Sequence, residues 1–193
     1  MNFPVKLKFK IFAIAPQIYA YDSTGHLVHY IKQKLFKLKE EVTVFADEDQ
    51  EKPQYKIAAD RIIDFSAAYS FTDMQGRKLG SIKRKGMKSL WSAHYEIYDA
   101  EGEKLFTVEE ENAWIKVIDA LFGEIPVVNI FMGYFFNPKY SVSSGSGMEY
   151  RITKKRSFLE SGFEVSKEKQ GASNETLVLL GAMMFVLLER MRG

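Results

Sequence analysis

Cysteine is missing from this chain of 193 residues. Its absence excludes a disulfide framework, a thiolate metal site, a cysteine nucleophile and palmitoylation. Histidine is scarce, with His26, His29 and His94 the whole supply. His26 and His29 stand three apart on an expected hairpin. As strand residues they point to opposite faces and cannot chelate one metal unaided. No metal site and no cofactor is therefore expected. Familiar catalytic signatures are missing as well. There is no G-x-S-x-G elbow, no G-x-x-x-x-G-K-[ST] phosphate loop and no EF-hand-like D-x-[DN]-x-[DN]-G loop. The N-terminal MNFPVKLKFKIFAIAPQ has no h-region, because lysines interrupt its apolar pairs, so it does not read as a signal peptide and a cytoplasmic chain is expected. Charge of one sign is not in excess either. Lys and Arg number 27 against 25 Asp and Glu, and a net charge of +2 argues against a nucleic-acid partner.

What is present is strand material. Apolar residues make up 46% of the chain, with fifteen Phe and ten Tyr, enough for one buried core and a single domain over 1–193. Val5, Leu7, Phe9 and Ile11 alternate with Lys6, Lys8 and Lys10, the pattern of a half-buried strand whose lysines face water or guard a sheet edge. Three later segments share one template: YDSTGHLVHYI at 21–31, TDMQGRKLGSI at 72–82 and YDAEGEKLFTV at 98–108. In each, Asp is followed three residues later by Gly, six later by an aliphatic residue and nine later by another. The sets are Asp22/Gly25/Val28/Ile31, Asp73/Gly76/Leu79/Ile82 and Asp99/Gly102/Leu105/Val108. Asp bonds the amides that open a turn and Gly supplies the positive φ that closes it. Weaker echoes occur at Asp47–Gln50 and Glu168–Gly171. Further strands are expected at 42–46, 54–58, 62–72, 92–98, 138–143, 148–154 and 160–167, an antiparallel meander closing as a barrel or sandwich.

The period changes at NAWIKVIDALFG, 112–123, where Trp114, Val117, Ile118, Leu121 and Phe122 form one helical face. The acids Glu109, Glu110 and Glu111 would complement the start of that helix. A short helix is expected at 125–136, and SVSSGSGM, 141–148, reads as a flexible loop. The end of the chain is different again. Leu177 to Leu188 is a run of twelve residues without a polar side chain, bounded by Ser173, Asn174 and Glu175 before it and by Glu189, Arg190 and Arg192 after it. As a helix the run rises about 18 Å, against a bilayer core of about 30 Å. Extending it brings charges into hydrocarbon at about 2.5–3.5 kcal/mol each, so no transmembrane segment is expected. It also lacks the polar stripe of a surface helix. A helix apolar all round must be enclosed, and an antiparallel barrel wrapped around it meets that need.

These features resemble the tubby C-terminal-like superfamily, nearest to its LURP-one-related and phospholipid scramblase-like branch. The resemblance rests on FTDMQGRKLGSIKRK at 71–85, WSAHYEIYDAEGEKLFTVEEE at 91–111, NPKYSV at 137–142 and LVLLGAMMFVLLERM at the end. It implies a mainly β fold, a closed barrel of about twelve antiparallel strands around a buried C-terminal helix, here with a helical insertion near 112–135. It also implies a non-enzymatic module that binds an anionic phospholipid surface or a protein partner, cytoplasmic and peripheral to a membrane. The basic residues that could serve such binding are Lys83, Arg84, Lys85 and Lys88 in one cluster and Lys154, Lys155 and Arg156 in another. Their structural alternative is a solvated strand end balanced by nearby acids. Two other functions stay open at this point. One is a hydrolase or transferase with a surface cleft near 141–148 and 112–136, and the other is a tail-anchored membrane protein.

Overall fold

The computed structural model of the chain describes residues 1–10, 17–32, 41–60, 68–85, 94–111, 138–155 and 162–190. The helices expected at 112–123 and 125–136, and so the insertion near 112–135, lie outside the described residues. Lys88, Arg156, Ile11 and the 62–67 portion of one expected strand do too.

Twelve strands make a closed antiparallel barrel: β1 (Val5–Lys10), β2 (Gln17–Tyr21), β3 (Leu27–Lys32), β4 (Val42–Phe45), β5 (Pro53–Ala59), β6 (Ala68–Asp73), β7 (Lys78–Arg84), β8 (His94–Asp99), β9 (Lys104–Glu110), β10 (Lys139–Ser144), β11 (Gly147–Lys155) and β12 (Gly162–Lys167). Each strand pairs with its sequence neighbours, and β1 pairs with β12 to close the wall. The alternation in β1 works as expected: Val5, Leu7 and Phe9 are buried and the three lysines between them are exposed.

The repeated template builds three matching hairpin turns. The Oδ1 of Asp22 accepts the amides of Thr24 and His26 at 3.0 and 3.1 Å, and that of Asp73 accepts the amides of Gln75 and Arg77 at 2.9 Å each. Asp99 accepts the Glu103 amide at 2.7 Å. The glycines that close these turns, Gly25, Gly76 and Gly102, have φ of 84°, 80° and 91°, where a Cβ is disfavoured. The ladder then skips one residue in each hairpin, and the skipped residues are Val28, Leu79 and Leu105. The aliphatic six residues after each Asp is thus a β-bulge residue, and it packs partly buried against the core. The residue nine after each Asp (Ile31, Ile82 or Val108) points into the barrel and is buried.

Residues 141–148 differ from expectation. Ser143 pairs with Met148 and Ser144 with Gly147, so the flexible loop is a tight hairpin with Gly145 and Ser146 at its tip. The hydroxyls of Ser144 and Ser146 donate to Oε1 of Glu149 at 2.5 and 3.1 Å and hold the turn. Glycine and serine here supply turn geometry and local bonds rather than slack.

Along the axis runs α1 (Glu175–Arg190), of 16 residues. Val178, Leu179, Leu180, Met183, Met184, Phe185 and Val186 are all at 0% exposure, so every face of the helix meets the barrel wall. Burial of such side chains contributes about 1.5–3 kcal/mol each. A Cβ on Gly181 would meet Ile97 Cδ1 at 2.8 Å, so this glycine allows β8 to approach the helix. Among the described residues, no helix is long and apolar enough to cross a membrane.

Two outcomes follow from an enclosed axle. Deleting 174–193 should abolish the cooperative thermal transition and near-UV circular dichroism, because the wall then has nothing to close on. Gly181→Val should keep the fold but lower stability by about 1–3 kcal/mol in urea titration, the cost of overpacking.

Candidate functional site

Antiparallel order gives the barrel two unlike ends. The tight turns at 22–26, 46–52, 73–77, 99–103 and 145–146 gather at the end where α1 begins, as Tyr150 donating to the Ser173 carbonyl and Lys167 pairing with Glu175 show. The opposite end, where α1 finishes, holds the last residues of β1, β3, β5, β7, β9 and β11. There Tyr95, near the start of β8, donates to Oε1 of Glu189 at 2.7 Å.

The basic residues singled out above stand at this second end, and the structure separates them. Lys83, Arg84 and Lys85 end β7, and Lys154 and Lys155 end β11, four strands away around the wall. Arg84 is not at the surface: alternation turns it inward to 9% exposure, with its guanidinium 6.0 Å from the centre of the Tyr95 ring. Lys85 pairs with Glu96 at 3.0 Å and Lys155 with Glu164 at 3.0 Å. Lys83 makes no ion pair among the described residues. Two further lysines at this rim, Lys32 and Lys139, are exposed and also make none.

The acids of 109–111 have partners on neighbouring strands. Glu109 meets His94 Nδ1 at 2.8 Å and Glu111 meets Arg151 Nε at 2.8 Å. Inside the barrel, Glu110 and Glu189 lie near Tyr140. Burial, with these carboxylates adding to it, pushes the Tyr140 hydroxyl far above its ordinary range. Arg84, Tyr95, Tyr140 and Glu189 thus close the barrel below Phe185, whose ring lies 5.2 Å from Tyr95 and 4.7 Å from Tyr140.

At the first end lies a feature that residue patterns did not reveal, a cavity of about 440 Å³ lined by Asp22, His26, Val28, His29, Asp47, Lys52, Gln54 and Thr176 among others. It sits beside the β3–β4 seam, where among the described residues one register pair, Tyr30 with Phe45, joins the two strands. His26 and His29 both line this cavity, contrary to the opposite-face expectation, because the bulge at Val28 breaks the two-residue period between them. Among the described residues no group of three or more His, Asp or Glu converges as a metal site.

The electrostatics of the cavity are largely settled by its turns. Asp22 is held down to a pKa of about 2, first by the Thr24 hydroxyl and then by amides of His26, Thr24 and Asn2, and it stays ionised. Asp47 accepts the amides of Glu51 and Lys52 at 2.9 and 2.8 Å. The echo at Asp47–Gln50 is thus a real turn, with Gln50 at φ 63°. His29 is 6% exposed and its Nδ1 lies 2.7 Å from Oε1 of Gln54. Burial pushes its pKa below the ordinary 6.5, which the Gln54 contact only partly offsets. The unfolded chain then takes up the proton more readily, so His29 contributes stability that is complete above about pH 6.5 and lost as the pH falls below it. Urea midpoints measured from about pH 7.5 to about pH 5 should decline, and His29→Gln should flatten that decline.

Comparison with curated proteins and with solved structures gives no match. The family model described as LURP-one-related matches residues 27–178, from the first residue of β3 into the first turn of α1. With most of the barrel inside that match, the chain belongs to the LURP-one-related family, a branch of the tubby C-terminal-like superfamily.

Proposed function

We propose that the protein is a non-enzymatic module that docks on anionic membrane surfaces through the end of the barrel where α1 finishes. The carrying observation is the chemical contrast between the two ends. Turns at the first end are rich in carboxylates, with Asp47, Glu48, Asp49, Glu51, Glu101 and Glu103. Strands at the second end carry Lys32, Lys83, Lys85, Lys139, Lys154 and Lys155, while acids there, Glu41, Glu109 and Glu111, are paired with Lys56, His94 and Arg151. The stretches that follow these strand ends in sequence are basic and apolar, such as QKLFKLK at 33–39 and GMKSLW at 86–91, while the tight turns contain no Leu, Ile, Val, Phe or Trp. Lysine beside bulky apolar residues is the chemistry that suits a headgroup layer, at about 1 kcal/mol per basic residue near the surface. Arg84 is left out of the docking set because it faces inward.

A binding role fits better than catalysis. The serines at 141–148 bond to Glu149 in an exposed turn, Lys169 Nζ donates to Ser146 Oγ at 2.8 Å rather than accepting its proton, and no histidine bonds them among the described residues. The lumen is filled by α1, and a packed lumen offers no central chamber.

The test is flotation with vesicles of phosphatidylcholine containing phosphatidylserine, against phosphatidylcholine alone. Wild-type protein should float with the anionic vesicles and be released by high salt. The quadruple Lys83→Gln, Lys85→Gln, Lys154→Gln, Lys155→Gln variant should bind at least about tenfold more weakly while keeping its circular dichroism, a figure that discounts the lysines already paired. Undiminished binding by the variant would refute the assignment.

A further inference from the structure

We propose that the cavity at the end of the barrel where α1 begins is a binding site for an alkylammonium group, carried by a free amine or by a lysine side chain. It lies opposite the lysine rim, so it stands or falls independently of membrane docking.

A comparison between two of the repeated turns makes the first part of the case. Asp22 and Asp73 hold the same place in the template and are buried alike, at 5% and 8% exposure. Four residues on, Asp73 meets a counter-ion, since Arg77 Nε lies 2.6 Å from its Oδ2. The residue four after Asp22 is His26, which gives Asp22 its backbone amide and no charge contact. Asp22 accepts hydrogen bonds from the amides of Asn2, Thr24 and His26, from the Asn2 side chain and from the Thr24 hydroxyl. These bonds keep it ionised but do not neutralise it, and among the described residues it makes no ion pair. A buried carboxylate is ordinarily paired. This one instead lines a cavity of about 440 Å³, a size that holds a small ligand or a long side chain.

The rest of the lining suits an ammonium on an aliphatic stem. Asp47 accepts one amide on each oxygen, at 2.9 and 2.8 Å, so each oxygen keeps a lone pair for a further donor. His29 is neutral and gives its Nδ1 proton to Gln54 Oε1, which leaves Nε2 an acceptor. Leu27, Val28 and Ala46 add apolar wall beside these acceptors. The positive groups of the lining, the Lys52 ammonium and the Met1 amine, belong to exposed residues and pair with neither carboxylate. Asp49 and Glu51, exposed on the same turn as Asp47, add to the negative field. A calcium or magnesium ion needs several oxygen ligands at once, and among the described residues no three acids or histidines converge to supply them.

The experiment titrates the full chain, labelled with ¹⁵N, with 1,5-diaminopentane, Nα-acetyl-lysine methylamide, butyrate and calcium chloride. Both ammonium probes should shift the amides of Val28, His29, Lys52 and Thr176 saturably, and butyrate should not. Tighter binding of the lysine derivative marks a protein lysine as the source, and tighter binding of the diamine marks a free amine. Asp22→Asn keeps an oxygen to cap the turn, and with its circular dichroism unchanged it should weaken both probes at least about tenfold. Lys52→Gln, at an exposed position, should strengthen both by roughly two- to fivefold. Three results would overturn the proposal. One is an absence of saturable shifts with either ammonium probe. Another is the same set of shifts from calcium at lower concentration, which marks a metal site. The third is amine binding that neither substitution changes.

Discussion

A helix with no polar face cannot rest on a surface in water, and the rest of this structure is arranged around that constraint. From Val178 to Val186 the side chains of α1 are buried on all sides, which only a closed wall can provide. Closure in turn requires β1, paired with β2 on one edge, to pair with β12 on the other, bringing the first and last strands together. It also removes the open edges that a twelve-stranded sheet would otherwise present. Where the helix ends, its polar groups are met from the wall. Tyr150 donates to the Ser173 carbonyl at 2.7 Å, and Tyr95 donates to Glu189 at the other end. Two tyrosines thus hold the axle at both bearings, with their rings in the core and their hydroxyls at its rims.

Much of this architecture was legible because it rests on local chemistry. An Asp that caps a turn and a Gly at positive φ act within five residues, so the three hairpins stand out in the sequence as a repeat. The terminal helix was legible for the opposite reason, since a lack of any polar position leaves it one kind of environment. What was not legible depends on register between strands. Arg84 follows Lys83 and precedes Lys85 in a run that reads as one basic patch, yet the pleat sends it alone into the barrel, over Tyr95. The residues at 141–148 have the composition of a linker, and their pairing is visible only once Ser144 meets Gly147. His26 and His29 converge because Val28 is bulged, and a bulge is a relation between two strands.

The seam between β3 and β4 shows the same limit from another side. β4 is four residues long, and its turn carries Glu48 away to bond with Tyr19 of β2 at 2.6 Å. That bond and the Lys10 ammonium hold the Glu48 carboxyl below its usual range, while burial and the same contact push the Tyr19 hydroxyl up to about 12. The turn is therefore anchored past β3 rather than along it. The gap this leaves is a by-product of where Glu48 finds its partner, 29 residues away in sequence on a strand that is not its neighbour. No periodicity in either segment could announce it.

A filled lumen moves function to the outside, and the outside is not uniform. In a meander of antiparallel strands, successive connections alternate between the two ends, so each end can acquire its own chemistry without disturbing the wall. Here four acids of the tight turns, Asp22, Asp47, Asp73 and Asp99, cap amides, which is a structural use. The lysines at the far rim are less fully committed. Among the described residues Lys83 and Lys139 make no ion pair, and those of Lys85 and Lys155 are exposed on the lysine side at 44% and 53%. Exposed pairs of this kind contribute little to folding. Folding therefore places little demand on these lysines.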